Sequence, residues 1–158
     1  MAELVDEFHY LNSKIEDDFE RAILDTPESL RAERWYGDWS VRELALHLAT
    51  WDEMDAEFLE AIVAGDDDPA RRWSGPEETD ALNGELVAEH ADKDFEAVMA
   101  YASEMRARLG QAVDGLRSVP AERFWERGSP LRGRAMHSAT HRTHHLLPIL
   151  EWHASRQA

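Results

Sequence analysis

The chain has 158 residues, no cysteine and a formal net charge of −16 at pH 7. This length predicts one domain over residues 1–158, and the absence of cysteine excludes disulfides, thiolate metal sites and a cysteine nucleophile. The negative charge disfavours nucleic acid and anionic membranes as partners. The acidic start and the lack of an apolar run of ~20 residues predict neither a signal peptide nor a membrane span, and so a cytoplasmic protein.

The charge is unevenly distributed, because the segment from residue 117 onwards has more basic than acidic side chains. Every basic residue of this segment is an arginine: Arg117, Arg123, Arg127, Arg132, Arg134, Arg142 and Arg156. Two interpretations follow. The arginines either neutralise acidic neighbours within the fold or line a mouth that attracts an anionic ligand.

The first predicted helix is amphipathic and ends before Pro27. Its apolar residues recur every three or four positions and make one stripe: Leu4, Phe8, Leu11, Ile15, Phe19 and Ala22. Proline stops a helix because it lacks a backbone N–H and clashes with the preceding turn. Thr26 is therefore predicted to cap a short turn that follows.

The second predicted helix begins at a recognisable cap, because Ser40 is followed three residues later by Glu43, the pattern of a capping box. Its predicted core face comprises Val41, Leu44, Leu48, Trp51, Phe58 and Ile62. Gly65 and an acidic run end it. The stretch from Gly65 to about Gly84 is predicted to be a long surface loop.

Two further helices complete the pattern, the third from about Glu85 to Arg117 and the fourth from about Leu131 to Arg156. An irregular connection separates them, with Ser129 and Pro130 as a cap and a first-turn proline. Alternating strand patterns are missing. Four helices of this length predict an all-α four-helix bundle with long loop connections, either antiparallel or with a long crossover.

The fourth helix carries an unusual group of histidines, His137, His141, His144 and His145. Residues four apart lie ~6 Å apart along a helix and on nearly the same face, so two such imidazoles can reach one metal ion. His137 and His145 are eight residues apart, ~12 Å, which is too far for one ion. The spacing leaves two pairs open, His137/His141 and His141/His145.

A third ligand must come from another helix, and His47 on the core side of the second helix is the candidate. The alternative is a core histidine bonded to a carbonyl group. Three neutral imidazoles suit zinc, nickel, copper or iron and leave one coordination position open. Di-iron and serine-hydrolase sites are excluded, because the chain has no Glu-x-x-His motif and no nucleophile elbow.

Several neighbours of these histidines are candidates for a supporting role. Asp52 and Glu53, beyond His47, are either partners of the ligands, a general base, or part of a solvated face. His137 and His144 are neighbours without an assigned role. The predicted pocket walls are Trp39, Trp51 and Trp73.

Two motifs, "WSVRELALHLATWDE" and "HRTHHLLPILEW", resemble those of the DinB-like superfamily, of the DinB/YfiT type. The resemblance implies a four-helix bundle that pairs as a homodimer. In metal-binding members one histidine of the second helix joins a His-x-x-x-His pair of the last helix. Carried over by position, the implied ligands are His47, His141 and His145. The implied metal is divalent, with zinc and nickel favoured.

The resemblance also implies a class of activity. Related branches include thiol-dependent transferases, such as the N-terminal domain of mycothiol-dependent maleylpyruvate isomerase and the bacillithiol transferases. The ClbS/DfsB branch hydrolyses reactive electrophiles, and the ending with Leu146, Ile149 and Trp152 is similar to it. We therefore expect thiol transfer to, or hydrolysis of, a small reactive electrophile, with a low-molecular-weight thiol as cosubstrate. The alternative is a non-catalytic dimeric bundle that binds a small molecule or a structural metal.

Overall fold

A computed structural model describes residues 2–69, 78–126 and 130–157 of the chain. All of its regular structure within these residues is helical apart from one isolated bridge between Tyr36 and Trp39. The helices are α1 (Ala2–Leu24), α2 (Val41–Val63), α3 (Thr79–Glu89), α4 (Phe95–Gly115), α5 (Ala121–Trp125) and α6 (Pro130–Gln157). The four long helices, α1, α2, α4 and α6, form the bundle, and the all-α prediction is confirmed.

The bundle contains a long crossover, because α2 and α4 run in the same direction. Helix α2 is antiparallel to α6, and α4 is antiparallel to α1, so α1 and α6 are also parallel. These directions follow from the contacts Glu53–Tyr101 and Glu60–Arg108, His47–His141 and Asp55–His137, and His9–Asp114 and Glu20–Arg106. The segment between α2 and α4, which includes α3, returns the chain to the other end of the bundle.

Helix α2 begins at the predicted capping box. The Ser40 side chain accepts a hydrogen bond from the backbone of Arg42, and Glu43 accepts one from the Ser40 backbone N–H at 3.0 Å. These bonds satisfy N–H groups that the first helical turn leaves without partners. Gly65, with φ of 97°, follows the end of the helix in a conformation that glycine adopts readily.

The buried face of α1 differs from the predicted stripe at one position. Phe8 and Phe19 are buried as predicted, but Leu11 is exposed and Asn12 is only 3% exposed. Asn12 follows Phe8 by four residues and therefore lies on the same helix face. A periodicity of apolar residues cannot find a polar residue in the core. The side chain of Leu4 lies outside the described part of the chain.

The predicted third helix is in fact two, so the boundary at Glu85 is wrong. Helix α3 begins earlier, at Thr79, and ends at Glu89, and α4 begins at Phe95. The Asp94 side chain accepts a hydrogen bond from the backbone N–H of Ala97 at 2.8 Å and caps α4. The sequence contained this cap, but the apolar period continues across it and masked the break.

Two other local predictions are corrected. The Thr26 hydroxyl donates to the carbonyl of Ala22 and does not cap the 3-10 turn Glu28–Leu30, at whose cap position Pro27 stands. The connection before α6 contains the short helix α5. Ser129 lies outside the described residues, whereas Pro130 is the first residue of α6 as a first-turn proline should be.

The interior alternates between apolar and polar levels. One apolar cluster includes Phe8 and Phe58, and a second includes Phe19 and Leu44. Between these clusters lies a group of buried polar side chains, which we call the polar layer: Asn12, Asp52, Asp55, Ser138 and Arg142. Asp52 and Asp55 of α2 accept hydrogen bonds from side chains of α6 and so fix these two helices against one another, whereas both polar atoms of the Asn12 side chain are buried without a partner among the described residues.

None of the described helices is both long enough and apolar enough to cross a membrane.

Candidate metal centre

Three histidine side chains from two helices converge beside the polar layer. His47 of α2 and the pair His141 and His145 of α6 each offer one ring nitrogen, and these nitrogens lie within 4.8 Å of one another. The Nε2 atoms of His47 and His141 are 2.9 Å apart. Two imidazole nitrogens bound to one tetrahedral zinc ion lie ~3.3 Å apart, so His47 and His141 need only a small adjustment to share an ion.

The positions follow from the helix geometry. His47 lies on the buried face of α2 between Leu44 and Trp51, and it is only 2% exposed. His141 and His145 are one helical turn apart and lie on one face of α6. Both lie opposite His47 on the antiparallel helix α2. The structure thus brings together the pair His141/His145 with His47.

Burial keeps these histidines neutral. Loss of solvent, reinforced by the nearby His145 and His137 rings, lowers the pKa of His47 to about 3. Burial, with His144 as a second cause, lowers the pKa of His145 to about 4. Burial and the neighbouring histidines also lower the pKa of His141 well below its usual value. A metal ion binds neutral imidazole, so at neutral pH all three rings are in the form that can act as ligands.

The donor set fits a metal ion. Without an ion, a hydrogen bond between His47 and His141 satisfies one nitrogen on each ring. Among the described residues, Nδ1 of His47 and Nδ1 of His145 are buried and have no hydrogen-bond partner. A single ion can accept lone pairs from all three rings at once, which a hydrogen bond between two rings cannot do.

Asp52, predicted as a supporting residue, does not contact the histidines through a hydrogen bond. It is 1% exposed and forms a two-pronged ion pair with Arg142 of α6, with Oδ1 3.0 Å from Nη1. Arg142 also donates to the Ser138 hydroxyl. This buried pair joins α2 to α6 next to the histidine cluster. The nearby Glu53 instead accepts a hydrogen bond from the Tyr101 hydroxyl at 2.6 Å.

A second carboxylate of α2, Asp55, contacts His137, which the spacing had left open as a partner of His141. Its Oδ2 accepts from Nδ1 of His137 at 2.7 Å, and its Oδ1 accepts from Arg134 at 2.7 Å. Sequence reasoning missed Asp55 and Arg134. Asp52 and Asp55 are three residues apart on one face of α2, which was the available signal, but their partners depend on the register between α2 and α6.

Aromatic side chains surround the three histidines. Trp39 lies 4.8 Å from the His47 ring and Trp51 lies 5.8 Å from the His141 ring, between centroids. Tyr36, which sequence reasoning missed, contacts His145 edge-on at 5.3 Å. Tyr36 and Trp39 flank a tight turn in which Gly37 has φ of 60°. Trp73, the other predicted wall, lies outside the described residues.

His144 is exposed and contacts the cluster only through the ring of His145, at 5.1 Å between centroids. The C-terminal arginines mostly pair with acidic side chains. The ion pairs are Arg117–Asp6, Arg123–Asp67, Arg134–Asp55, Arg142–Asp52 and Arg156–Glu33. This arrangement agrees with the first interpretation of the basic segment, neutralisation of acidic neighbours within the fold.

Comparison with known protein families gives a match between residues 12–149 and the model of the DinB superfamily. The chain belongs to the DinB superfamily. The match begins within α1 and ends within α6, so it includes all three converging histidines of this DinB superfamily member. No curated protein and no solved structure matches the chain.

Proposed function

We propose that this DinB superfamily member is a divalent-metal-dependent enzyme that acts on a small reactive electrophile, by thiol transfer or by hydrolysis. The observation that carries the proposal is the convergence of His47, His141 and His145 within 4.8 Å. Zinc and nickel are the favoured metals, since both bind neutral imidazole well.

The chemistry follows from three ligands and one open position. His47, His141 and His145 would hold the ion, which would lower the pKa of a bound water or thiol and so supply a nucleophile at neutral pH. The chain itself has no cysteine, so a thiol must arrive as a low-molecular-weight cosubstrate. The role of the three histidines is to stay neutral and hold one geometry, and their burial supports both.

Each reaction balances without an added oxidant or reductant. In thiol transfer the sulfur forms a bond to an electrophilic carbon and the thiol proton passes to solvent. With an aryl halide the halide departs with the electron pair of its bond, and with an enone the electron pair of the double bond passes to the α-carbon, which takes up a proton. In hydrolysis a water oxygen takes the place of sulfur.

The aromatic residues around the cluster favour an apolar, planar substrate. Tyr36, Trp39 and Trp51 each lie within about 6 Å of a histidine ring, between centroids. Aromatic rings pack well against unsaturated carbon skeletons and exclude water from the reacting atoms. We therefore expect unsaturated or arylated electrophiles to be better substrates than compact polar ones.

A panel of electrophiles tests the proposal. Turnover of 1-chloro-2,4-dinitrobenzene and of an enone is measured with zinc- or nickel-loaded protein, with and without a small thiol. We expect metal-dependent turnover that falls at least ~100-fold in His47→Ala, because the ligand set is broken. His144→Ala is the control and retains activity, because His144 is an exposed histidine of α6 next to the ligand His145. Metal-independent turnover, or equal activity in His47→Ala, contradicts the proposal.

One observation favours a second function, a non-catalytic dimeric bundle that binds a small molecule or a structural metal. The two buried carboxylates of α2, Asp52 and Asp55, are each bound to an arginine, so neither is a free general base. In that case metal removal lowers the melting temperature and dissociates the homodimer, with no turnover of any electrophile. Metal-dependent turnover excludes this purely passive role.

A further inference from the structure

The carboxylate of Asp55 is held from two sides. Its side chain is fully buried, and each oxygen accepts one hydrogen bond of 2.7 Å, from Arg134 and from Nδ1 of His137. Hydrogen bonds to a charged group are short, strong and directional. Asp55 therefore has one orientation, and that orientation fixes the position of the hydrogen on His137.

The His137 ring is fixed by its neighbours as well as by this bond. It stacks on the His141 ring, with centroids 4.7 Å apart and an angle of 21° between the planes. The indole of Trp51 meets it edge-on, at 5.0 Å between centroids. The hydrogen bond to Asp55 and the contact with Trp51 hold the His137 ring in place, and His141 stacks against it.

His141 lacks the support that a metal-binding histidine commonly has. Such a ring usually donates its second N–H to a carboxylate or carbonyl group, which fixes its orientation. Among the described residues, the hydrogen bonding of His141 consists of the contact with His47. The carboxylate of Asp55 is linked to His141 through the stacked ring of His137.

We propose that Asp55 and His137 together form a positioning pair for the metal centre, in which Asp55 fixes His137 and the stacked His137 ring keeps His141 turned towards His47. This inference rests on the metal centre proposed above and adds two residues to it. His137 is a positioning residue and not a fourth ligand, since its nitrogens do not belong to the group that converges within 4.8 Å.

A double-mutant cycle measured with Co²⁺ tests the pair. The wild type, His137→Phe, Asp55→Asn and the double variant are titrated with Co²⁺, and the dissociation constant and the visible absorption spectrum are recorded. Phenylalanine keeps an aromatic ring but cannot donate to Asp55. We expect each single variant to bind Co²⁺ ~10-fold more weakly with an altered spectrum, as for partners of metal ligands elsewhere.

The double variant is expected to bind Co²⁺ as tightly as whichever single variant has the lower affinity. Both substitutions break the same chain of contacts from Asp55 through His137 to His141. His144→Phe is the matched control, since His144 also touches a ligand ring but has no carboxylate partner among the described residues. It is expected to bind like the wild type. Circular dichroism and the melting temperature show that each variant is folded, and His137→Phe carries the test if Asp55→Asn is not.

The outcomes separate this inference from the proposed function. If His137→Phe binds Co²⁺ with the affinity and spectrum of the wild type, the positioning pair is overturned and the metal centre is not. The same holds if the losses of affinity in the two single variants multiply in the double variant. A wild type that binds no Co²⁺ overturns the metal centre and this inference with it.

Discussion

At the scale of single residues, the site depends on polar groups that are costly to bury. His47 is 2% exposed and His145 5% exposed, and burial is the largest cause of the low pKa of each ring. A depressed histidine pKa means that the folded protein binds fewer protons than the unfolded chain below pH ~6.5. These residues therefore lower the stability of the metal-free protein as the solution becomes acidic.

The pH dependence of stability is the first prediction. The free energy of unfolding of chelator-treated protein is expected to fall between pH 6.5 and pH 4, in part from these histidines, and their effect vanishes above pH 6.5. Each ring contributes at most ~1.4 kcal/mol per pH unit. Urea unfolding at several pH values measures the slope, which should be shallower in His47→Gln. An identical slope in that variant contradicts the low pKa of His47.

The second prediction concerns the buried ion pair of Asp52 and Arg142. Asp52→Asn leaves the Arg142 guanidinium buried without its counter-charge, and such a change typically costs ~3–5 kcal/mol of unfolding free energy. Asp18→Asn, in an exposed ion pair with Arg21, is the matched control and is expected to change stability by less than ~0.5 kcal/mol. Equal urea midpoints for the two variants would show that the pair contributes little.

The histidine cluster was partly accessible from the sequence. Spacing on one helix predicts that His141 can act with either neighbour four residues away, and the core position of His47 suggests the third group. The pairing of Asp55 with His137 was not accessible, because it depends on how α2 and α6 are aligned. Tyr36 was missed for a different reason, since a residue in a turn carries no helical period.

At the scale of secondary-structure elements, local chemistry predicted helix starts better than helix breaks. Ser40 and Glu43 indicated the start of α2 directly, because a capping box is made by residues three apart. The break before Phe95 was missed, since the apolar period persists on both sides of it. Asp94 alone does not indicate the start of a helix, because aspartate also occurs within helices and loops. It indicates a boundary only when the residues before it also favour the end of a helix.

The capping box of α2 gives the third prediction. Ser40→Ala removes the side-chain acceptor at the start of the helix that carries His47, and the expected loss is ~1 kcal/mol of unfolding free energy. Ser13→Ala, on the exposed side of α1, is the control and is expected to have a smaller effect. Thermal unfolding of the two variants beside the wild type measures the difference. A larger loss in Ser13→Ala would contradict the role of the cap.

At the scale of the whole molecule, the order of helix directions was the part that the sequence left open. Four amphipathic helices allow an antiparallel bundle or one with a crossover, and the choice lies in contacts between distant residues. Here α2 and α4 are parallel, and α6 packs antiparallel to α2. This arrangement places the two histidines of α6 opposite His47. The homodimer and the exclusion of nucleic acid as a partner stay predictions.

The central claim is that His47, His141 and His145 hold one metal ion. The most direct test is elemental analysis of tag-free protein, with the wild type measured beside His47→Ala, His141→Ala, His145→Ala and His144→Ala. We expect about one divalent metal ion per chain in the wild type and in His144→Ala, and loss of the metal in the other three variants. A wild type without metal, or metal that persists in all variants, would contradict it.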